Sequence, residues 1–212
     1  GSAAPQQGGI PTRPDQQTPP QGGADDFGGG LGQDPYGDST ATGETTATED
    51  QSQGVVLINT TLTNGAAAGT GLVLDESGLV LTNYHVVEGS TQVQVTIATD
   101  GTTYTANVVG HDQEADIALL QLDGASGLAI VDLDDDGDPA VSDTVTAVGN
   151  AQGQGYLSAS DGSVVALEQS ITTQSSGSVL GENLAGLIET DAYVVGGYSG
   201  GALLDDLTLV VE

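Results

Sequence analysis

From Gly54 onward the apolar residues of this chain come in short runs, and almost every run is stopped by a cluster of Gly, Asn, Asp or Ser. The runs are Val55-Val56-Leu57-Ile58, Leu72 to Leu74, Leu79 to Leu81, Val93 to Ile97, Tyr104 to Val109, Asp116 to Leu122, Thr144 to Val148, Ser163 to Leu167 and Leu187 to Thr190. No stretch sustains a helical period, so the punctuation predicts an all-β chain. In Gln92-Val93-Gln94-Val95-Thr96-Ile97 polar and apolar residues alternate, which predicts a strand with one wet face. The unbroken runs predict strands covered on both sides. Closed antiparallel barrels accommodate both patterns and leave no exposed edge.

The first 52 residues are of another kind, since six of the seven prolines lie at or before Pro35 among Gly, Gln, Asp and Thr. Too little apolar surface is available there to offset the entropy of ordering, which predicts a disordered Pro/Gly/Gln-rich linker over 1–52. Gly1-Ser2 reads as a cloning scar. The remainder divides into an N-terminal barrel over 53–132 and, after a divider near Leu133 to Ser142, a second unit over 133–212.

Three segments carry chemistry. Thr82-Asn83-Tyr84-His85-Val86-Val87 offers a base, Glu114-Ala115-Asp116-Ile117-Ala118-Leu119-Leu120 a carboxylate in an apolar setting, and Gly196-Gly197-Tyr198-Ser199-Gly200-Gly201 a hydroxyl among glycines. A serine attacks a carbonyl at neutral pH only if a neighbouring base takes its proton, and histidine is suited to take that proton and return it. A buried carboxylate fixes the tautomer of the histidine and stabilises the imidazolium. The glycines let the Gly197 and Ser199 amides approach a developing oxyanion, at roughly 3 to 4 kcal/mol per donor. The second histidine, His111, reads as a polar loop residue between Gly110 and Asp112.

These segments resemble the trypsin-like serine peptidases, in particular the bacterial HtrA/Deg-like branch of secreted or membrane-anchored proteases. The likeness runs from about Gly54 to Glu212. It also takes in Gly69-Thr70-Gly71-Leu72-Val73-Leu74, Val145-Thr146-Ala147-Val148-Gly149-Asn150 and Glu189-Thr190-Asp191-Ala192. It implies two antiparallel β-barrels with the site in the cleft between them. His85 would be the general base, Asp116 its orienting carboxylate, Ser199 the nucleophile, and the Gly197 and Ser199 amides the oxyanion hole. Tyr193, six residues before the nucleophile, would lie at the base of the primary pocket; lacking a carboxylate there, the site is expected to take small or medium apolar P1 residues.

Two departures accompany the likeness. Tyr198 stands where relatives commonly carry Asp or Asn, so activation by capture of a new N-terminus is expected to be closed to this chain. Glu212 follows Ser199 by only 13 residues (212 − 199), so the second barrel is expected to be truncated at its C-terminus. The resulting expectation is a serine endopeptidase acting on protein or peptide through a triad and an acyl-enzyme, located outside the cytoplasm. The alternatives are an impaired peptide-binding module that kept the barrels, and a plain structural β domain.

Charge and composition remove other classes. The formal net charge is −29 and Arg13 is the only Lys or Arg, so neither nucleic acid nor an anionic membrane surface is an expected partner. With no cysteine, and with histidines 26 residues apart (111 − 85), no zinc site and no disulfide is expected. Asp132, Asp134, Asp136, Gly137 and Asp143 mimic the spacing of a calcium loop, but there are no flanking helices and no terminal Glu, so a solvated acidic loop and no metal or other cofactor are expected. Gly149 to Gly155 lacks a phosphate-loop pattern and reads as a loop near the cleft.

Overall fold

The computed structural model describes residues 43–133, 139–172, 183–205 and 208–209. In chain order the strands are β1 (Thr45–Thr46), β2 (Val55–Leu62), β3 (Gly65–Asp75), β4 (Leu79–Thr82), β5 (Ser90–Ile97), β6 (Thr103–Asp112), β7 (Ile117–Leu122), β8 (Thr144–Gly149), β9 (Ser158–Thr172), β10 (Asn183–Thr190), β11 (Ala202–Asp205) and β12 (Thr208–Leu209). One helical turn, α1 (Tyr84–Val87), and a 3-10 turn at Ala151–Gly153 interrupt them. The all-β expectation holds.

Strands β2 to β7 close into an antiparallel barrel in the order β2-β3-β4-β7-β6-β5. A second, six-stranded sheet follows the order β1-β9-β8-β11-β12, with β10 also paired to β9. Together they form the trypsin-like double-barrel arrangement, the second sheet being open among the described residues.

The run Val55 to Ile58 shows why this sequence needs two layers. In β2 successive side chains alternate between faces. Val56 and Ile58 enter the barrel core with Val73, Val80, Val95 and Leu120. Val55 and Leu57 face outward and cluster with Val148, Ala202 and Leu204 of the second sheet and with Leu157 just ahead of β9. A strand apolar on both faces thus seals the barrel to its neighbour, each fully buried Val or Leu contributing about 1.5 to 3 kcal/mol. β5 shows the other pattern: Val93 and Val95 are buried while Gln92 and Gln94 are exposed.

Three expectations need correction. β7 is not covered on both sides: Ile117 is 42% exposed although Ala118 and Leu120 are fully buried. Its outward face is only partly covered, with Leu119 and Gln121 half-buried. Strands β9 and β10 are longer than their apolar cores, because pairing between them continues through polar residues such as Gln169. Within the expected linker, residues 1–42 lie outside the described residues, but Thr45 and Thr46 pair with Ala159 and Ser158 as a strand of the second sheet. Backbone pairing in an antiparallel ladder needs no apolar side chain, and this one is fixed further by the Ala47 amide donating to Leu157 O at 2.9 Å.

With Arg13 the only Lys or Arg, the acids of the barrels are held by N–H and O–H groups instead of cations. Asp75 accepts from the Ser77 amide at 2.7 Å and Asp100 from the Thr102 amide at 2.8 Å. These side-chain and backbone bonds from Ser77, and likewise from Thr102, lower both carboxyl pKa values. Asp143, the last position of the calcium-like spacing, accepts from the Ala140 amide at 2.7 Å, a turn-forming use. Asp134, Asp136 and Gly137 lie outside the described residues, and no acidic or histidine cluster among the described residues suits a metal ion. A net charge of −29 with so few counter-charges makes self-repulsion a general cost of folding. Raising NaCl from 0.01 to 1 M, which shortens the screening length from roughly 30 to 3 Å, is expected to raise the melting temperature; a flat profile contradicts this.

Candidate active site

The site is built where the helical turn α1 and the loop before β11 both meet β3. Gly69 and Thr70 of that strand are the common support. A Cβ on Gly69 would meet Val86 Cγ1 at 2.6 Å and the Ser199 carbonyl oxygen at 3.3 Å, so only glycine lets both segments close on the strand. Val86 and Val87 then sink into the barrel core, which turns the neighbouring His85 outward. Its side chain is 47% exposed.

Asp116 is positioned by its turn. Asp112 Oδ1 accepts from the Glu114 and Ala115 amides at 2.9 and 3.2 Å, folding the β6–β7 connection tightly. Asp116 follows with φ 51°, a left-handed conformation that aspartate tolerates better than most residues. Its carbonyl accepts from the Tyr84 amide at 3.1 Å and from Asn83 Nδ2 at 3.0 Å. Its carboxylate accepts from the His85 amide at 2.9 Å through Oδ1 and faces His85 Nδ1 at 2.7 Å through Oδ2. Thus α1, rather than the strand that follows, buries Asp116 to 6% exposure. This contact directs the Nδ1 proton toward the carboxylate.

Thr70 ties Ser199 to this pair. Its amide donates to Ser199 O at 2.9 Å, and its hydroxyl donates to Gly197 O at 2.7 Å while accepting from the Asn150 amide at 2.9 Å. Thr82 Oγ1 donates in turn to Thr70 O at 2.7 Å. Thr70, in the first barrel, is fully buried and bonds both the 150 loop and the serine loop of the second sheet. Gly197 (φ 99°) and Gly200 (φ 77°) give the serine loop its reversal. Among the described residues neither the Gly197 nor the Ser199 amide donates to a backbone carbonyl.

Tyr198 points the other way. It is 8% exposed, packed with Ala147, Ala151 and Ala192, and its ring lies against Gly149, where a Cβ would collide with it. Tyr193 is 50% exposed, and its amide donates to Ser160 Oγ at 2.9 Å. His111, read as a loop residue, lies within strand β6, paired with Ala118, and stacks on Tyr84 with ring centroids 4.9 Å apart, bracing α1. The shallow concavities beside Gln51, Thr146 and Asp161 and beside Asp50 and Val131 include none of His85, Asp116 or Ser199.

Sequence reasoning missed Thr70 and Asn150 as supports. Both sit inside quoted motifs, but a threonine in a Gly-rich strand gives no sign that its hydroxyl bridges two barrels.

A closed β-barrel joined to a second antiparallel sheet, with a His–Asp pair at α1 and a glycine-flanked serine loop both held against β3, defines a trypsin-like fold. The chain belongs to the trypsin-like peptidase family: residues 69–211 match the model of the trypsin-like peptidase domain. It is 36% identical over 140 residues to the periplasmic serine endoprotease DegP of Escherichia coli, covering 66% of this chain and 28% of that protein. A probable periplasmic Do/HhoA-like serine protease of Haemophilus influenzae is 40% identical over 143 residues, covering 67% and 29%. Among solved structures, the HtrA-type protease AlgW with a tripeptide superposes with a TM-score of 0.64 at 28% identity, covering 76% of this chain and 50% of that one. The likeness is thus to the HtrA/Deg branch, and the chain spans under a third of the curated relatives' length.

Proposed function

We propose that the chain is the proteolytic part of a serine endopeptidase that acts outside the cytoplasm on protein or peptide substrates. Ser199 Oγ attacks the scissile carbonyl carbon while its proton passes to His85 Nε2. Asp116 holds the ring and stabilises the imidazolium. The Gly197 and Ser199 amides receive the oxyanion. Collapse of the tetrahedral species breaks the C–N bond, the amine leaves with the proton from His85, and water then hydrolyses the acyl-enzyme by the same steps reversed. The 2.7 Å contact between His85 Nδ1 and Asp116 Oδ2 carries this reading, since a half-exposed histidine gains a directed proton only from such a partner.

The proposed division of the chain keeps 53–132 as the unit carrying His85 and Asp116 and 133–212 as the unit carrying Ser199, with Tyr193 at the primary pocket and a preference for small or medium apolar P1 residues. The alternative of an impaired peptide-binding module is favoured if Tyr198 blocks the cleft or the oxyanion amides point away, and the burial of the Tyr198 ring speaks against the first ground. The location rests on the periplasmic relatives; no helix among the described residues is long and apolar enough to cross a membrane. A fluorophosphonate probe is expected to label wild-type protein at Ser199 and to leave Ser199→Ala unlabelled. Equal labelling of both proteins, or none of the wild type, overturns the assignment.

A further inference from the structure

Residues 43–54 have no part in the chemistry above, yet they touch both the edge of the second sheet and the residue next to Ser199. Thr45 Oγ1 donates to Ala159 O at 3.4 Å, adding to the ladder of β1 on β9. Thr48 and Gln51 cap each other's turn, the Thr48 amide on Gln51 Oε1 at 2.9 Å and the Gln51 amide on Thr48 Oγ1 at 3.2 Å. Gly54, at φ 71° and lying against the Val131 backbone, then turns the chain into β2. The segment is thereby fastened at both ends. At its start the Glu44 carboxylate accepts a hydrogen bond from the Tyr198 hydroxyl at 3.0 Å.

That bond reaches the serine loop. Tyr198 lies between Gly197 and Ser199, the two residues whose amides are proposed to receive the oxyanion. Its own amide donates to Val195 O at 3.2 Å and its carbonyl accepts from Gly201 at 2.7 Å, so moving the ring moves the whole turn. Burial, with the Glu44 carboxylate next in weight, raises the Tyr198 pKa well above that of a free phenol. The ring therefore remains a neutral donor throughout the physiological range.

We propose that Glu44 is a positioning residue for the oxyanion amides: the strand-forming segment ahead of the first barrel holds Tyr198, and through it the Gly197 and Ser199 N–H groups, in their working orientation. This rests on the site reading above for its effect on catalysis, but not for its structural content. Loss of this bond, which Tyr198 holds beside one with the Ser158 side chain, is expected to slow a step that uses those amides by up to about tenfold.

The test compares the full chain with Glu44→Ala, Glu44→Gln and Tyr198→Phe. Glu44 is exposed, so these Glu44 variants keep the fold, with melting curves as the check. Amide NMR is expected to show the Gly197 and Ser199 resonances displaced in Glu44→Ala and Tyr198→Phe and restored in Glu44→Gln, whose amide oxygen still accepts. The fluorophosphonate labelling rate is expected to fall by up to about tenfold in the first two and to recover in the third. Unmoved Gly197 and Ser199 resonances in Glu44→Ala overturn the proposal, whatever the labelling shows. Displaced resonances with no labelling of the wild type uphold the brace and defeat the nucleophile assignment instead.

Discussion

Asp116→Asn is expected to slow acylation of Ser199 by about ten-thousandfold while leaving the fold almost untouched. The carboxylate receives two bonds, the His85 amide on Oδ1 and the ring nitrogen Nδ1 facing Oδ2. Asparagine retains the first through its carbonyl oxygen. In place of the second it presents an NH2 group, which donates, so Nδ1 must become the acceptor and the ring proton shifts to Nε2. The nitrogen that should take the serine proton then already carries one. Geometry survives because Asn83, Tyr84 and the backbone carbonyl of Asp116 hold the turn regardless of the side chain. The fluorophosphonate labelling rate with the melting temperature measured in parallel reads the two effects separately. A loss below tenfold, or one explained by unfolding, rejects the orienting role.

Gly197→Ala is expected to cost about 100- to 1,000-fold in the same rate, the loss associated with one oxyanion donor, together with stability. At φ 99° an L-residue is strained by roughly 1 to 3 kcal/mol, and a Cβ there would run into the Asn150 carbonyl. Asn150 cannot withdraw easily, because its amide is bonded to Thr70 Oγ1, its Nδ2 donates to Gly69 O, and its Oδ1 accepts from Gly155. The serine loop must give way, taking its N–H groups off target. At about 2 to 4 °C per kcal/mol for a chain of this size, the melting temperature is expected to fall by roughly 5 °C. A rate within threefold of wild type would show that the Gly197 amide is not a donor to the reacting carbonyl.

Much of the fold was legible because turn residues and two-residue alternation are local signals. The wet face of β5 could be read from Gln92 and Gln94 directly, and the two-sided burial of β2 from its unbroken apolar run. β7 failed the same reading: Ile117 is apolar but faces solvent, and apolar character alone does not say what lies opposite. β1 gave no signal, since Thr45 and Thr46 are held by backbone pairing to residues more than a hundred positions away. Tyr198 was visible only as a departure from the family pattern; that it turns from the cleft toward Glu44 depends on the space above Gly149.

The order His85, Asp116, Ser199, the glycines around the serine and the poverty of basic residues are properties of the chain itself, and they determine which chemistry it can carry and which partners its charge repels. Tertiary structure alone decided that Thr70 would join the barrels, that α1 would bond the Asp116 carboxylate, and that a stretch resembling linker would reach Tyr198 through Glu44. Side-chain type sets what a group can donate, accept or expel from water, whereas which groups meet follows from how distant strands close on one another.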